Sequence, residues 1–110
     1  MRLVAVRFPQ KEAQVPLFEA LLNLPAPWRG EEALLIGDFN CGIPFADSDT
    51  RTFACTHLFQ ALLRQGWVDA WRERNGTARE FTWRSPRTGN GFRYDHALVS
   101  PSLKIGRAHV

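Results

Sequence analysis

The sequence predicts an α+β fold, a mixed and mostly antiparallel sheet with helices on one face. Strand-like, helix-like and strand-like segments follow one another over residues 2–36, the order of a crossover unit. Further along, two strand-like segments flank a Gly- and Pro-rich connection at residues 85–91, the order of an antiparallel hairpin. A sheet built from both kinds of unit, with the helices gathered on one side, satisfies the two observations together.

Residues 2–8 form an apolar run bounded by Pro9 and read as the first strand. From Lys11 to Leu24, Val15, Leu17, Phe18, Leu21, Leu22 and Leu24 recur at helical spacing. Pro16 suits the first turn, where its missing N–H costs little, and Pro25 and Pro27 end the helix. The unbroken apolar run 33–36 predicts a strand buried on both faces. It stops at Gly37-Asp38-Phe39-Asn40, and residues 41–52 are rich in turn formers. Leu58, Phe59, Leu62 and Leu63 mark a second amphipathic helix closed by Gly66. Residues 67–71 are compatible with either strand or helix. The segment 80–84 alternates as a strand does, 92–100 reads as the next strand, and Leu103 to Val110 as the start of another.

The 110 residues suffice for one domain and not for two, so residues 1–110 are read as a single unit. Four tryptophans and eight phenylalanines argue against disorder. No window approaches the ~20 apolar residues needed to span a bilayer, and the N-terminal apolar run is too short for a signal peptide. The two cysteines, Cys41 and Cys55, are neither a disulfide framework nor a zinc site, which predicts a cytoplasmic setting. The net charge of +3 is unevenly spread: from Arg84 onward five basic residues face one acid, Asp95, whereas nine face ten before it. A basic C-terminal third suits a polyanion such as nucleic acid or another phosphoester, and equally a solvated surface.

Asp38 and Asn40 stand where a strand runs out into a loop. On extended backbone residues two apart point the same way, which would pair a carboxylate able to activate water with an amide able to hold a phosphate oxygen. An ordinary Asp/Asn turn uses the same residues. Asp95 lies in an apolar strand, where a buried carboxylate needs a partner: it can orient a histidine, pair with Arg93 or face water. His96, its neighbour, points to the opposite side of a strand and is read as structural. Phe81, Trp83, Phe92 and Tyr94 gather near Arg84, Arg87 and Arg93, where aromatics can stack on bases or simply pack the core.

Taken together, Arg7-Phe8-Pro9-Gln10, Leu35-Ile36-Gly37-Asp38-Phe39-Asn40, Gly66-Trp67-Val68-Asp69-Ala70-Trp71-Arg72, Phe81-Thr82-Trp83 and the run from Gly91 to Ser100 resemble, in order, the endonuclease/exonuclease/phosphatase superfamily. The resemblance covers nearly the whole chain. It implies half of a deoxyribonuclease I-like four-layer α/β/β/α sandwich. The implied activity is that of a metal-dependent phosphoesterase, a nuclease acting through an activated water with Mg²⁺ as cofactor. It gives Asp38 the task of activating the water, Asn40 that of binding the scissile phosphate, and Asp95 that of orienting a histidine. Arg7, Trp83, Phe92, Arg93 and Tyr94 become substrate contacts.

The chain also departs from the family pattern. The family's metal-binding glutamate and its terminal Ser-Asp-His motif have no counterpart here, and Arg7 stands where relatives carry tyrosine or histidine. The expectation is a C-terminal half that associates, as a homodimer or otherwise, through an uncovered sheet face. By itself it hydrolyses little, so a non-catalytic fragment or a phosphate-binding module is the alternative.

Overall fold

A computed structural model describes residues 1–24, 31–50 and 53–103. Four strands form the main sheet: β1 (Arg2–Arg7), β2 (Ala33–Asp38), β3 (Val68–Asp69) and β6 (Asp95–Val99). Their order is β1-β2-β6-β3, with β1 parallel to β2 and the other pairings antiparallel. A small antiparallel hairpin, β4 (Trp83–Arg84) with β5 (Gly91–Phe92), stands apart from it. The helices are α1 (Val15–Leu22), α2 (Thr56–Arg64) and α3 (Ala70–Asn75). Among the described residues no helix is long and apolar enough to cross a membrane.

The local chemistry accounts for each boundary. Lys11–Gln14 is a 3-10 turn and α1 proper begins at Val15, because Pro16 has no N–H to extend an α-helical ladder backwards. Gly66, at φ +109°, turns the chain after α2. Residues 67–71 divide at Asp69: two residues of strand, then α3, whose first turn Asp69 caps by accepting the Arg72 N–H at 3.1 Å.

α1 and α2 pack on one sheet face. Phe18, Leu21, Phe59 and Leu62 from the helices meet Ala33, Leu35 and Leu98 from the sheet, with Phe8 and Phe39 between them. The ring of Phe39 stands 5.2 Å from Phe8 and 6.0 Å from Phe59, so Phe39 holds the centre of the core.

Four expectations change. β2 is not buried on both faces: Ala33 and Leu35 are fully buried, while Ile36 on the other side is 40% exposed, since both helices lie on a single face. The strand expected at 80–84 pairs only at Trp83 and Arg84. The strand expected at 92–100 is broken at Arg93 and Tyr94, whose backbones bond elsewhere, Arg93 N to Asp47 O and Tyr94 O from Phe39 N. Leu103 closes a short helical turn at 101–103 instead of starting a strand, and 104–110 lie outside the described residues.

Candidate functional site

Register places three charged residues in one row. Arg7 on β1 is the cross-strand partner of Asp38 on β2, which in turn is the partner of Asp95 on β6. Cross-strand partners share a sheet face, so the three side chains project from the side opposite the helices. The row ends the sheet. Arg7 and Asp95 are exposed and Asp38 is half-buried. Asp95 therefore faces water, one of the alternatives its place in the sequence allowed.

Gly37 permits this arrangement. Its φ of +138° and the approach of β1 leave no room for a side chain: a Cβ there would collide with the Val6 carbonyl. The Gly-Asp pair in the sequence thus has a steric origin in the β1–β2 contact.

Asp38 and Asn40 are brought together differently from the extended-backbone expectation. The strand ends at Asp38, Phe39 turns into the core, and Asn40 takes a left-handed conformation with φ +47°. Asp38 Oδ1 accepts the Asn40 backbone N–H at 2.9 Å, which closes an Asx turn. The Asn40 amide is fixed on both sides: Nδ2 donates to Phe8 O at 2.7 Å and Oδ1 accepts from Gln10 Nε2 at 3.1 Å. Gln14, almost fully buried, donates from Nε2 to the Asn40 carbonyl at 2.8 Å. Positive φ on a non-glycine residue costs on the order of 1–3 kcal/mol, and these bonds hold Asn40 there.

Beyond Asn40 opens a cleft of about 470 Å³, lined among others by Lys11, Asn40, Arg87, Trp83, Phe92 and Tyr94. Phe92 and Tyr94 stack with ring centres 5.2 Å apart, and Trp83 stands 5.8 Å from Tyr94. Phe92 is buried, Tyr94 half-buried and Trp83 47% exposed, so Trp83 offers the open ring surface. Burial raises the Tyr94 phenol above its ordinary pKa, and the nearby Asp38 carboxylate adds to that. The cleft and the charged row are thus electrostatic neighbours.

Arg93, expected to contact substrate, is placed elsewhere. It is buried, and its guanidinium is committed to Asp47, through Nε at 2.9 Å, and to Asp69. Arg72 adds a second bond to Asp47 at 2.9 Å. Burial works against ionisation of Asp69, but His96, Arg93 and the Arg72 backbone N–H outweigh it and hold the carboxyl well below the usual range. His96 is buried on the helix side, its Nε2 donating to Cys41 O at 2.6 Å and its Nδ1 3.7 Å from Asp69. It is structural, as its strand position implied. No histidine stands beside Asp95 on the exposed face among the described residues.

Asp47, Asp69 and His96 each offer one ligand atom, all within 4.8 Å of one another, the composition of a metal centre. Arg93 and Arg72 already neutralise the two carboxylates, so a divalent ion there would have to displace a paired arginine. Sequence reasoning missed Asp47, which sits in a run of turn formers with nothing to mark it as the counter-ion of a residue 46 positions away. Asp69 carried a local signal, the cap three residues before Arg72.

Cys41 and Cys55 are buried and free. Burial pushes the Cys41 thiol up to about 12, so it is an inert core thiol.

No protein-family model matches the chain, and no curated protein does. Among solved structures it is similar to the 3'-5' exonuclease NExo from Neisseria meningitidis, with a TM-score of 0.72 and 23% identity over 94% of this chain. That match covers 50% of the neighbour, so the chain spans half the length of the structure it resembles. What the two share is a fold, and it is the fold of a nuclease.

Proposed function

We propose that the chain carries the phosphate-handling half of a metal-dependent phosphodiesterase site of the endonuclease/exonuclease/phosphatase type. In this reading residues 1–110 correspond to the C-terminal half of a deoxyribonuclease I-like sandwich, and nucleic acid is the substrate. The observation that carries it is the row Arg7–Asp38–Asp95 beside a fixed Asn40 amide. The nuclease fold of the structural neighbour supports it.

Each residue has a task that its surroundings allow. Asp38 keeps Oδ1 on the Asn40 N–H and presents Oδ2 to a water. Asn40 spends one Nδ2 proton on Phe8 O, and the other remains for a phosphate oxygen. Arg7 makes no ion pair among the described residues and supplies a permanent positive charge one strand away. Trp83 gives a base or sugar a surface to stack on.

Mg²⁺ fits the oxygen donors of Asp38 and Asp95, which no arginine occupies, and fits the arginine-filled Asp47–Asp69–His96 cluster poorly. When bound, such an ion neutralises charge on the phosphate and the leaving oxygen. With no histidine beside Asp95 among the described residues to donate a proton, binding should outlast catalysis. Fluorescence anisotropy with an abasic duplex tests the reading. Mg²⁺ should tighten binding several-fold over EDTA in the wild type and not in Asp38→Ala, with cleavage near background. An equal Mg²⁺ effect in Asp38→Ala would remove Asp38 from the site. Cleavage abolished by Asp38→Ala would show a self-sufficient enzyme.

A further inference from the structure

Gln10 and Gln14 stand at two helix starts and cap neither. Gln10 precedes the 3-10 turn Lys11–Gln14, and Gln14 precedes α1. From such positions a side chain ordinarily accepts a helix N–H, yet neither glutamine makes a capping bond. Both reach Asn40 instead. Gln10 Nε2 donates to the Asn40 side-chain Oδ1 at 3.1 Å, and Gln14 Nε2 to the Asn40 backbone carbonyl at 2.8 Å. We propose that Gln10 and Gln14 are positioning residues for Asn40, the first fixing the direction of its amide and the second its left-handed backbone. This role rests on the reading of Asn40 as the phosphate contact.

Donor and acceptor chemistry makes the arrangement specific. The Phe8 carbonyl can only accept, so the Asn40 amide turns Nδ2 toward it, at 2.7 Å. Oδ1 then faces the other way and needs a donor, which Gln10 supplies. A flipped amide would set oxygen against oxygen at Phe8. Rotation of the amide breaks both bonds, so the second Nδ2 proton keeps one direction.

Gln14 is 1% exposed, and its Oε1 is buried with no hydrogen-bond partner among the described residues. A methionine would fill that space without an unsatisfied acceptor. What the glutamine adds is its bond to the Asn40 carbonyl, which opposes relaxation of φ +47°. The segment that carries both glutamines is itself held in a rare conformation. Lys11, between them, has φ +54°, and the Cys55 thiol donates to its carbonyl at 3.6 Å. Two left-handed residues other than glycine, Lys11 and Asn40, thus line one cleft.

NMR and a double-mutant cycle test the role. The Asn40 side-chain ¹⁵NH₂ group should be rigid on the ps–ns timescale in the wild type and mobile in Gln10→Ala. The Asn40 backbone coupling should leave its left-handed value in Gln14→Met. In anisotropy with the abasic duplex and Mg²⁺, each variant should bind about two- to ten-fold more weakly, the worth of one hydrogen bond. In an Asn40→Gly background, where glycine keeps the left-handed backbone open, neither should weaken binding further. Circular dichroism checks that every variant folds. A rigid Asn40 amide in Gln10→Ala, or an unchanged coupling in Gln14→Met, overturns the proposal. So does an equal loss of affinity in both backgrounds, which is what a merely structural role gives. Asn40→Gly binding as tightly as the wild type would instead overturn the phosphate reading itself, and the positioning role with it.

Discussion

Removing the Arg93 guanidinium would leave two carboxylates, Asp47 and Asp69, buried without the cation they share. Loss of one partner of a buried pair costs on the order of 3–5 kcal/mol, whereas an exposed pair contributes about 0–1. Arg93→Ala should therefore lose several kcal/mol in urea denaturation, and Arg2→Ala, which breaks the exposed Arg2–Glu31 pair, almost nothing. Comparable losses in the two variants would contradict the geometry. The same cluster sets the response to acid. The folded-state pKa of Asp69 is depressed, so its contribution is fully present above the unfolded value of about 4 and drains away as pH falls below it. Stability measured against pH should decline through this acid range, and more gently in Asp69→Asn.

β2 and its continuation carry the proposed site, and there the sequence was most readable. The apolar run 33–36 located the strand and Gly37 its end. The Asx turn that joins Asp38 to Asn40 was one of the two readings those residues allowed. What local pattern could not show was the third dimension. A one-sided sheet and a two-sided one give β2 the same run of apolar residues, and only the packing of α1 and α2 tells them apart. Arg93 was misplaced for a similar reason. An arginine beside aromatics looks like a ligand contact until the distant Asp47 comes to meet it. Trp83 and Phe92, cross-strand partners on one hairpin, and Tyr94 just after it did come together around one cleft. Gly37 offers a test at this scale. With φ +138° and the Val6 carbonyl against its α-carbon, Gly37→Ala should cost at least about 1–3 kcal/mol in thermal or urea unfolding. A neutral result would mean that β1 is not held against β2 as described.

At the scale of the whole molecule, the hairpin and the open sheet face present different surfaces among the described residues. Arg84 and Arg87 lie on the hairpin beside the aromatic cleft, while the exposed Leu3 and Ile36 lie on the open sheet face. If the hairpin side meets a polyanion, affinity for an oligonucleotide should fall linearly on a log–log plot against salt, and Arg87→Ala should make that slope shallower by about one contact. An unchanged slope would place the polyanion elsewhere. The central claim, that Asp38, Asn40 and Asp95 form one phosphodiester site, is most directly tested by a ¹H–¹⁵N NMR titration with Mg²⁺ and then an abasic oligonucleotide. The account predicts Mg²⁺ shifts centred on Asp38 and Asp95, oligonucleotide shifts extending to Asn40 and the Trp83 indole, and loss of the Mg²⁺ shifts in Asp38→Ala. Shifts centred on Asp47, Asp69 and His96, or a response unaltered by Asp38→Ala, would contradict it.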